Sequence, residues 1–227
     1  MELSIKEKLL NHLMSFLTDD RKKRFEDIIK YRTRHITVVI EDIYQSHNAS
    51  AVLRTCDLTG IQDVHIIENR NEYEINPEVA LGSSKWLNLI KYNSSENNTL
   101  DAFNRLRNDG YKIVATTPHK ESVNLDELPL NNKIALVFGT EMTGLSNFAI
   151  NNADHHLRIP MYGFTESYNI SVSAALCLFT LSQSLRKSDI NWQLNNAEHT
   201  DILLNWARNS LKEHETIEKR FFSELNR

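Results

Sequence analysis

The chain of 227 residues contains only two cysteines and six glycines, and it lacks most of the motifs that announce a cofactor. Cys56 and Cys177 form no C-x-x-C pair and show no zinc-ligand spacing, which argues against a thioredoxin-type redox centre, and no metal is expected. Both fall on apolar helical faces and read as buried thiols, with a place beside a site or a disulfide as the remaining readings. The first strand-to-helix junction, "EDIYQSHNASAV", has no glycine, so the G-x-G-x-x-G dinucleotide fingerprint is absent, as is the phosphate loop G-x-x-x-x-G-K-[ST]. A nucleotide-like cofactor would have to use other loops. Nor is there a G-x-S-x-G nucleophile elbow, which removes an α/β hydrolase. No stretch approaches the roughly 18 consecutive apolar residues of a membrane span. Met1 to Asp20 is a charged amphipathic stretch unlike a signal peptide, so a cytoplasmic protein without a membrane partner is expected.

Charge is nearly balanced, with a formal net of -4. That is a mild argument against a nucleic-acid partner, because affinity for phosphate backbones grows with the lysines and arginines presented. The distribution points the other way. Arg21, Lys22, Lys23, Arg24, Lys30, Arg32 and Arg34 crowd a segment holding two acidic residues, a basic patch suited to phosphates if it is more than a solvated helix face.

A hydrophobic fraction of 41% supplies a core for one α/β domain with additional helices. Leu3, Leu9, Leu10, Leu13, Phe16 and Leu17 recur at helical spacing, Asp19 and Asp20 mark a break, and Phe25, Ile28 and Ile29 resume the pattern. Then "ITVVIED", "DVHIIE", "YKIVATT", "KIALVFG" and "HHLRIP" are short, β-branched apolar runs of the kind buried in a parallel sheet. Helical patterns over 48–59, 77–85, 99–108, 146–151 and 171–186 separate them, which predicts a mostly parallel sheet flanked by helices. Residues 119–132 read as a polar loop. A last helix over 197–226 carries an apolar stripe that needs a surface, its own domain or another subunit.

Three strand-to-helix junctions hold the chemistry. In "LVFGTEMTGLS" a strand ends at Gly139, Gly144 follows five residues later, and Glu141 lies between. In "IPMYGFTESYNIS" a strand ends near Ile159, and Ser167 and Asn169 precede an apolar helix. In "SHNASAVLRT" Asn48 reads as an N-cap and Arg54 lies six residues on. Taken singly these are helix caps, a solvated carboxylate and a surface ion pair of Arg54 with Asp57 or Glu41. All three, however, lie at the carboxyl edge of one sheet, where ligands bind in open α/β folds. There the guanidinium fork suits a phosphate.

In order and spacing these segments resemble the SpoU/TrmH group of the SPOUT superfamily, RNA ribose 2'-O-methyltransferases. The group's patterns N-x-x-A-x-x-R, F-G-x-E-x-x-G-[LV]-S and I-P-M-x-G-x-x-x-S-L-N-V-S-x-A read here as "NASAVLR", "FGTEMTGLS" and "IPMYGFTESYNISVSAA". The likeness runs from about Ile36 to Arg186 and is greatest to the branch acting on tRNA guanosine 18, with ribosomal RNA or another tRNA position, or an inactive RNA-binding relative, as alternatives. It implies a SPOUT methyltransferase domain over 36–187 with a trefoil knot, an N-terminal helical extension over 1–35 contributing to an RNA-binding surface, and a C-terminal extension over 188–227. S-adenosylmethionine (SAM) is the implied cofactor, a homodimer the implied assembly and tRNA the implied partner. Carried over by residue, Arg54 acts on the ribose 2'-hydroxyl, Asn48 orients it, Glu141 fixes the substrate or the arginine, and Ser167 and Asn169 hold the sugar and the site geometry. Thr116, Gly139, Ile159 and Tyr168 contact the cofactor. Lys22, Lys23, Arg24, Arg32 and Arg34 are the expected phosphate grip. The chain departs from the group at Tyr168, where leucine is usual, and at Met142 and Thr143, where a bulky or basic residue is common.

Overall fold

The structure, a computed structural model, describes residues 1–117 and 122–225. It opens on helices α1 (Leu3–Met14) and α2 (Asp19–Ile29). There follow β1 (Ile36–Glu41), α3 (Ser46–Thr59), β2 (Asp63–Ile67), the single turn α4 (Pro77–Ala80), β3 (Asn88–Tyr92), α5 (Asn98–Asn108), β4 (Tyr111–Thr116), the two-residue β5 (Val123–Asn124), β6 (Lys133–Phe138), α6 (Asn147–Asn151), β7 (His155–Arg158) and α7 (Ile170–Lys187). Helices α8 (Asn196–Ser210) and α9 (His214–Leu225) end the described chain. Two compact units result: Met1–Arg32 with Gln193–Arg227, and Thr33–Trp192.

In the larger unit the described strands form one parallel sheet in the order β3-β2-β1-β6-β4-β7-β5. Alternate side chains serve two cores. Ile36, Val38, Ile40, Ile134, Leu136 and Phe138 pack under α3 and α7, while Val39, Ile113, Ala115, Ala135 and Val137 pack with Phe103 and Leu106 of α5 on the other face. Burial on both faces explains why these strands read as continuous apolar runs. The two strands that the sequence concealed lie at the sheet's edges. β3 is half-exposed, and β5 is two residues long.

Two further expectations are corrected in this unit. Residues 77–85 are not one helix: Leu81 and Gly82 take positive φ values of 47° and 78°, splitting α4 from a 3₁₀ turn at Ser83–Lys85. Nor is 119–132 simply a polar loop, because Leu125, Leu128 and Leu130 are buried against Leu157 and α7. Its first residues, 119–121, lie outside the described part of the chain.

In the smaller unit, Leu9 and Leu13 of α1 pack against Leu204 and Ala207 of α8. Trp206 is buried, with Phe25 edge-on at 5.4 Å between centroids. The break expected at Asp19 is present, and Thr18 caps α2 by accepting the Arg21 N–H at 3.3 Å. The last helix is two rather than one, since Leu211 leaves helical geometry at φ -113° and ψ 115°. The fold-back brings Ile217, Phe221 and Phe222 onto the Leu9–Leu13 cluster, so part of the stripe is covered within its own unit. Across the turn Arg208 donates to both carboxylate oxygens of Glu218, at 2.7 and 3.1 Å, holding that carboxyl below the usual range.

Candidate active site

The three junctions meet at Asn48. Helix α3 begins two residues earlier than its sequence suggested, with Gln45 at the N-cap position and no side-chain cap, so Asn48 lies inside the first turn and its amide is free for tertiary contacts. Its Nδ2 donates to Glu141 Oε1 at 2.8 Å and to Gln45 Oε1 at 3.1 Å, and its Oδ1 accepts from Asn169 Nδ2 at 3.2 Å. Asn169 does two jobs at once: Oδ1 caps α7 by accepting from Ser171 N at 2.8 Å, leaving Nδ2 to reach Asn48. The cap reading of this residue therefore holds, and its remaining amide nitrogen joins it to Asn48. Gln45, absent from the sequence-derived set, also brings its backbone N–H to 3.4 Å from Glu141 Oε1.

The loop carrying Glu141 is closed by reciprocal backbone bonds between Thr140 and Gly144, at 2.9 and 3.0 Å. Gly144 has φ +69°, and a Cβ on Gly139 would lie 2.2 Å from the Gly144 carbonyl carbon, so both glycines are dictated by geometry. Above the carboxyl ends of β4, β6 and β7 opens a cleft of about 410 Å³. Thr116, Gly139, Ile159 and Tyr168 all line it, together with Glu141, Ser167 and Asn169. Cys177 lies at its wall, a free thiol whose burial pushes its pKa up to about 12, which makes it an inert wall group and no nucleophile.

Arg54 is not brought to this cleft. It is exposed on α3, and Glu41, one of the two partners suggested by the sequence, is occupied elsewhere. Glu41 is buried and engaged by Thr99 and Ser146. The basic segment also divides. Lys23 and Arg24 are exposed, and Lys22 pairs with Asp19 at 3.0 Å. Arg32 and Arg34 are corrections to the expected phosphate grip: Arg32 is 2% exposed with its guanidinium 5.3 Å from the Trp206 ring centroid, and Arg34 is ion-paired with Asp63 at 3.0 Å. Tryptophan and aspartate, respectively, satisfy these cations inside the protein. Among the described residues no helix is long and apolar enough to cross a membrane, and no group of three His, Cys, Asp or Glu is placed to hold a metal.

A parallel α/β sheet with a cleft of mixed polar and apolar lining at its carboxyl edge, bordered by a glycine-bearing loop, has the architecture of a small-molecule site. Residues 35–179 match the SpoU rRNA Methylase family, and the chain belongs to that family. It is 47% identical to a tRNA (guanosine(18)-2'-O)-methyltransferase of Borreliella burgdorferi, over 93% of this chain and 95% of the relative. Among solved structures, a TrmH/SpoU tRNA modifying enzyme of Aquifex aeolicus superposes with a TM-score of 0.76 at 29% identity, covering 86% of this chain and 98% of that one. The SpoU methyltransferase AviRb of Streptomyces viridochromogenes, solved in complex with AdoMet, shares the fold with a TM-score of 0.57 at 19% identity over 71% of this chain and 62% of its own.

Proposed function

We propose that this protein is a SAM-dependent RNA ribose 2'-O-methyltransferase whose substrate is guanosine 18 of tRNA. The observation that carries the reading is the Asn48–Glu141–Asn169 network, which gathers all three family segments at the rim of one cleft. Relatives with that printed activity cover almost the whole chain.

The cleft fits SAM. Its volume lies within the range of small-molecule sites, and the tightly closed loop from Gly139 to Leu145 forms part of its lining. Backbone at Thr116, Gly139, Ile159 and Tyr168 would hold the cofactor, whose sulfonium supplies an electrophilic methyl group. Tyr168 replaces leucine through a side chain, so backbone contacts at that position are retained.

Arg54 would bind a substrate phosphate and stabilise the 2'-oxyanion as it forms. An arginine pKa above about 12 favours this electrostatic role over proton removal. Because Arg54 lies outside the cleft of its own chain, a homodimer would supply it. The exposed apolar side chains Leu58 on α3 and Leu176 and Phe179 on α7 are the surface such an assembly would bury. The larger unit would carry the family's knotted path, and Lys23 and Arg24 on the smaller unit would grip phosphates in the cytoplasm, where tRNA is modified. Glu141 and Asn169 would hold the amide of Asn48, and Ser167 would bind the ribose.

The test is transfer from labelled SAM to tRNA followed by nucleoside mapping. 2'-O-methylguanosine at position 18 is expected; methylated ribosomal RNA would move the substrate, and no transfer to any RNA would overturn the reading. Arg54→Ala is expected to keep the fold and SAM binding while transfer falls by at least about 100-fold.

A further inference from the structure

Glu41 ends β1, the strand between β2 and β6, and is 2% exposed. A buried carboxylate is expensive unless it is paired or fully hydrogen-bonded, and no cation among the described residues pairs with this one. It is held by three donors. Oε1 accepts from Thr99 Oγ1 at 2.6 Å and from Ser146 Oγ at 2.8 Å, and Oε2 accepts from Ser146 N at 2.9 Å. Both oxygens of Glu41 accept; a glutamine would turn its NH2 either toward the Ser146 N–H, which repels it, or toward the two hydroxyls, which would have to reverse their donation.

Ser146 is where the Glu141 loop ends and α6 begins, and its Oγ also caps that helix by accepting from Ala149 N at 3.0 Å. The loop is thus pinned at both ends, at Gly139 by contact with the backbone of Gly144 and at Ser146 by Glu41. Between the pins, Glu141 grips Asn48 at 2.8 Å. On the other side, Thr99 Oγ1 accepts from Asn69 Nδ2 at 2.9 Å, which ties the loop after β2 into the same chain of bonds.

We propose that Glu41 is a positioning residue for the methyl transfer proposed above: it sets the Gly139–Ser146 loop so that Glu141 meets Asn48, and it acts through Glu141. It touches neither cofactor nor substrate. Three hydrogen bonds converging on one buried side chain hold the end of the loop in a single arrangement.

The experiment is a double-mutant cycle on kcat with Glu41→Gln, Glu141→Gln and the double variant, alongside amide hydrogen exchange of the ligand-free proteins. Glu41→Gln is expected to lower kcat roughly 10- to 100-fold with the KM for tRNA unchanged, and to add less than about twofold in the Glu141→Gln background. Effects that multiply would overturn the proposal, since a merely structural residue acts equally in both backgrounds. Exchange is expected to quicken over 139–146 while β1 and β2 stay protected; loss spread across the sheet would also overturn it. Should wild-type protein transfer no methyl group, the methyltransferase reading fails, and the exchange result alone decides whether Glu41 sets the loop. If Glu41→Gln does not fold, Thr99→Val removes a single donor and carries the same cycle.

Discussion

Gly139→Ala inserts one methyl group where the backbone already touches itself. Its Cβ would lie 2.2 Å from Gly144 C and 2.3 Å from both Gly144 O and Leu145 N, whereas ordinary contact begins at 3.4 Å. The loop must therefore retreat by about 1 Å, against two Thr140–Gly144 backbone bonds that resist opening. Overpacking of this kind costs roughly 1–3 kcal/mol. A retreat of that size also stretches the 2.8 Å Asn48–Glu141 bond beyond hydrogen-bonding range and closes part of the cleft floor. A misplacement of about 1 Å at a reacting centre lowers rates about 100-fold. Calorimetric titration with SAM and single-turnover methylation measure the two consequences, and Gly163→Ala is the control, since a Cβ there meets nothing within 4 Å. Gly163→Ala is expected to be silent. Wild-type SAM affinity and rate in Gly139→Ala would refute the reasoning, because they would mean that neither the close approach nor the position of the loop matters.

Other expectations follow from the same geometry. Asn48→Asp sets two carboxylates against each other where 2.8 Å separates donor from acceptor, so kcat should fall about 100-fold while SAM, whose proposed cleft Asn48 does not line, binds within about twofold; equal rates in a single-turnover assay would contradict this. His65, buried and bonded to the Tyr92 hydroxyl at 2.9 Å, has its pKa lowered to about 4 by desolvation first and by Arg105 second. The folded imidazole stays neutral while the unfolded one takes a proton near pH 6.5, so stability is full above that pH and is lost as pH falls toward 4, by roughly 3 kcal/mol in all. Urea midpoints at pH 7 and 4.5 check it, with His65→Gln flattening the acid limb. Reversing Lys23 and Arg24 to glutamate should weaken tRNA binding and shallow its salt dependence by about one unit for each phosphate no longer neutralised, whereas Arg32→Ala should lower thermal stability and leave the salt slope alone.

β1, β2, β4 and β6 were legible because they are largely buried on both faces, β7 from the short run around its one buried residue, Leu157, and the helices between them because their apolar spacing is regular. β3 escaped because an edge strand, "NLIKY", is half-exposed and mixes polar with apolar residues. The helix break at Leu211 carries neither glycine nor proline; it accompanies the packing of Ile217, Phe221 and Phe222 onto the Leu9–Leu13 cluster and the Arg208–Glu218 pair across the turn, tertiary contacts to which local pattern is blind. At the site, the glycines and polar junction residues could be located from spacing, but Asn48 was read as a cap because its partners lie 93 and 121 residues away in sequence. Arg32 and Arg34 belong to a basic run, and only the fold reveals that Trp206 and Asp63 hold them inward.

The strand order has a consequence for the protein while it is being made. β1 pairs on one side with β2, soon after it in the chain, but on the other with β6, Ile36 against Ile134. At roughly 5–20 residues per second, the ribosome takes about 5–20 seconds to deliver that second neighbour, and throughout the interval one edge of β1 is a row of open backbone bonds beside Val38 and Ile40. The cleft arrives later still, since the residue that opens its last wall, Ile170, is the first of α7. A chain stalled before β6 therefore has a sticky edge, and one stalled before α7 lacks a wall of the cleft, so SAM would stabilise only molecules that have passed that point.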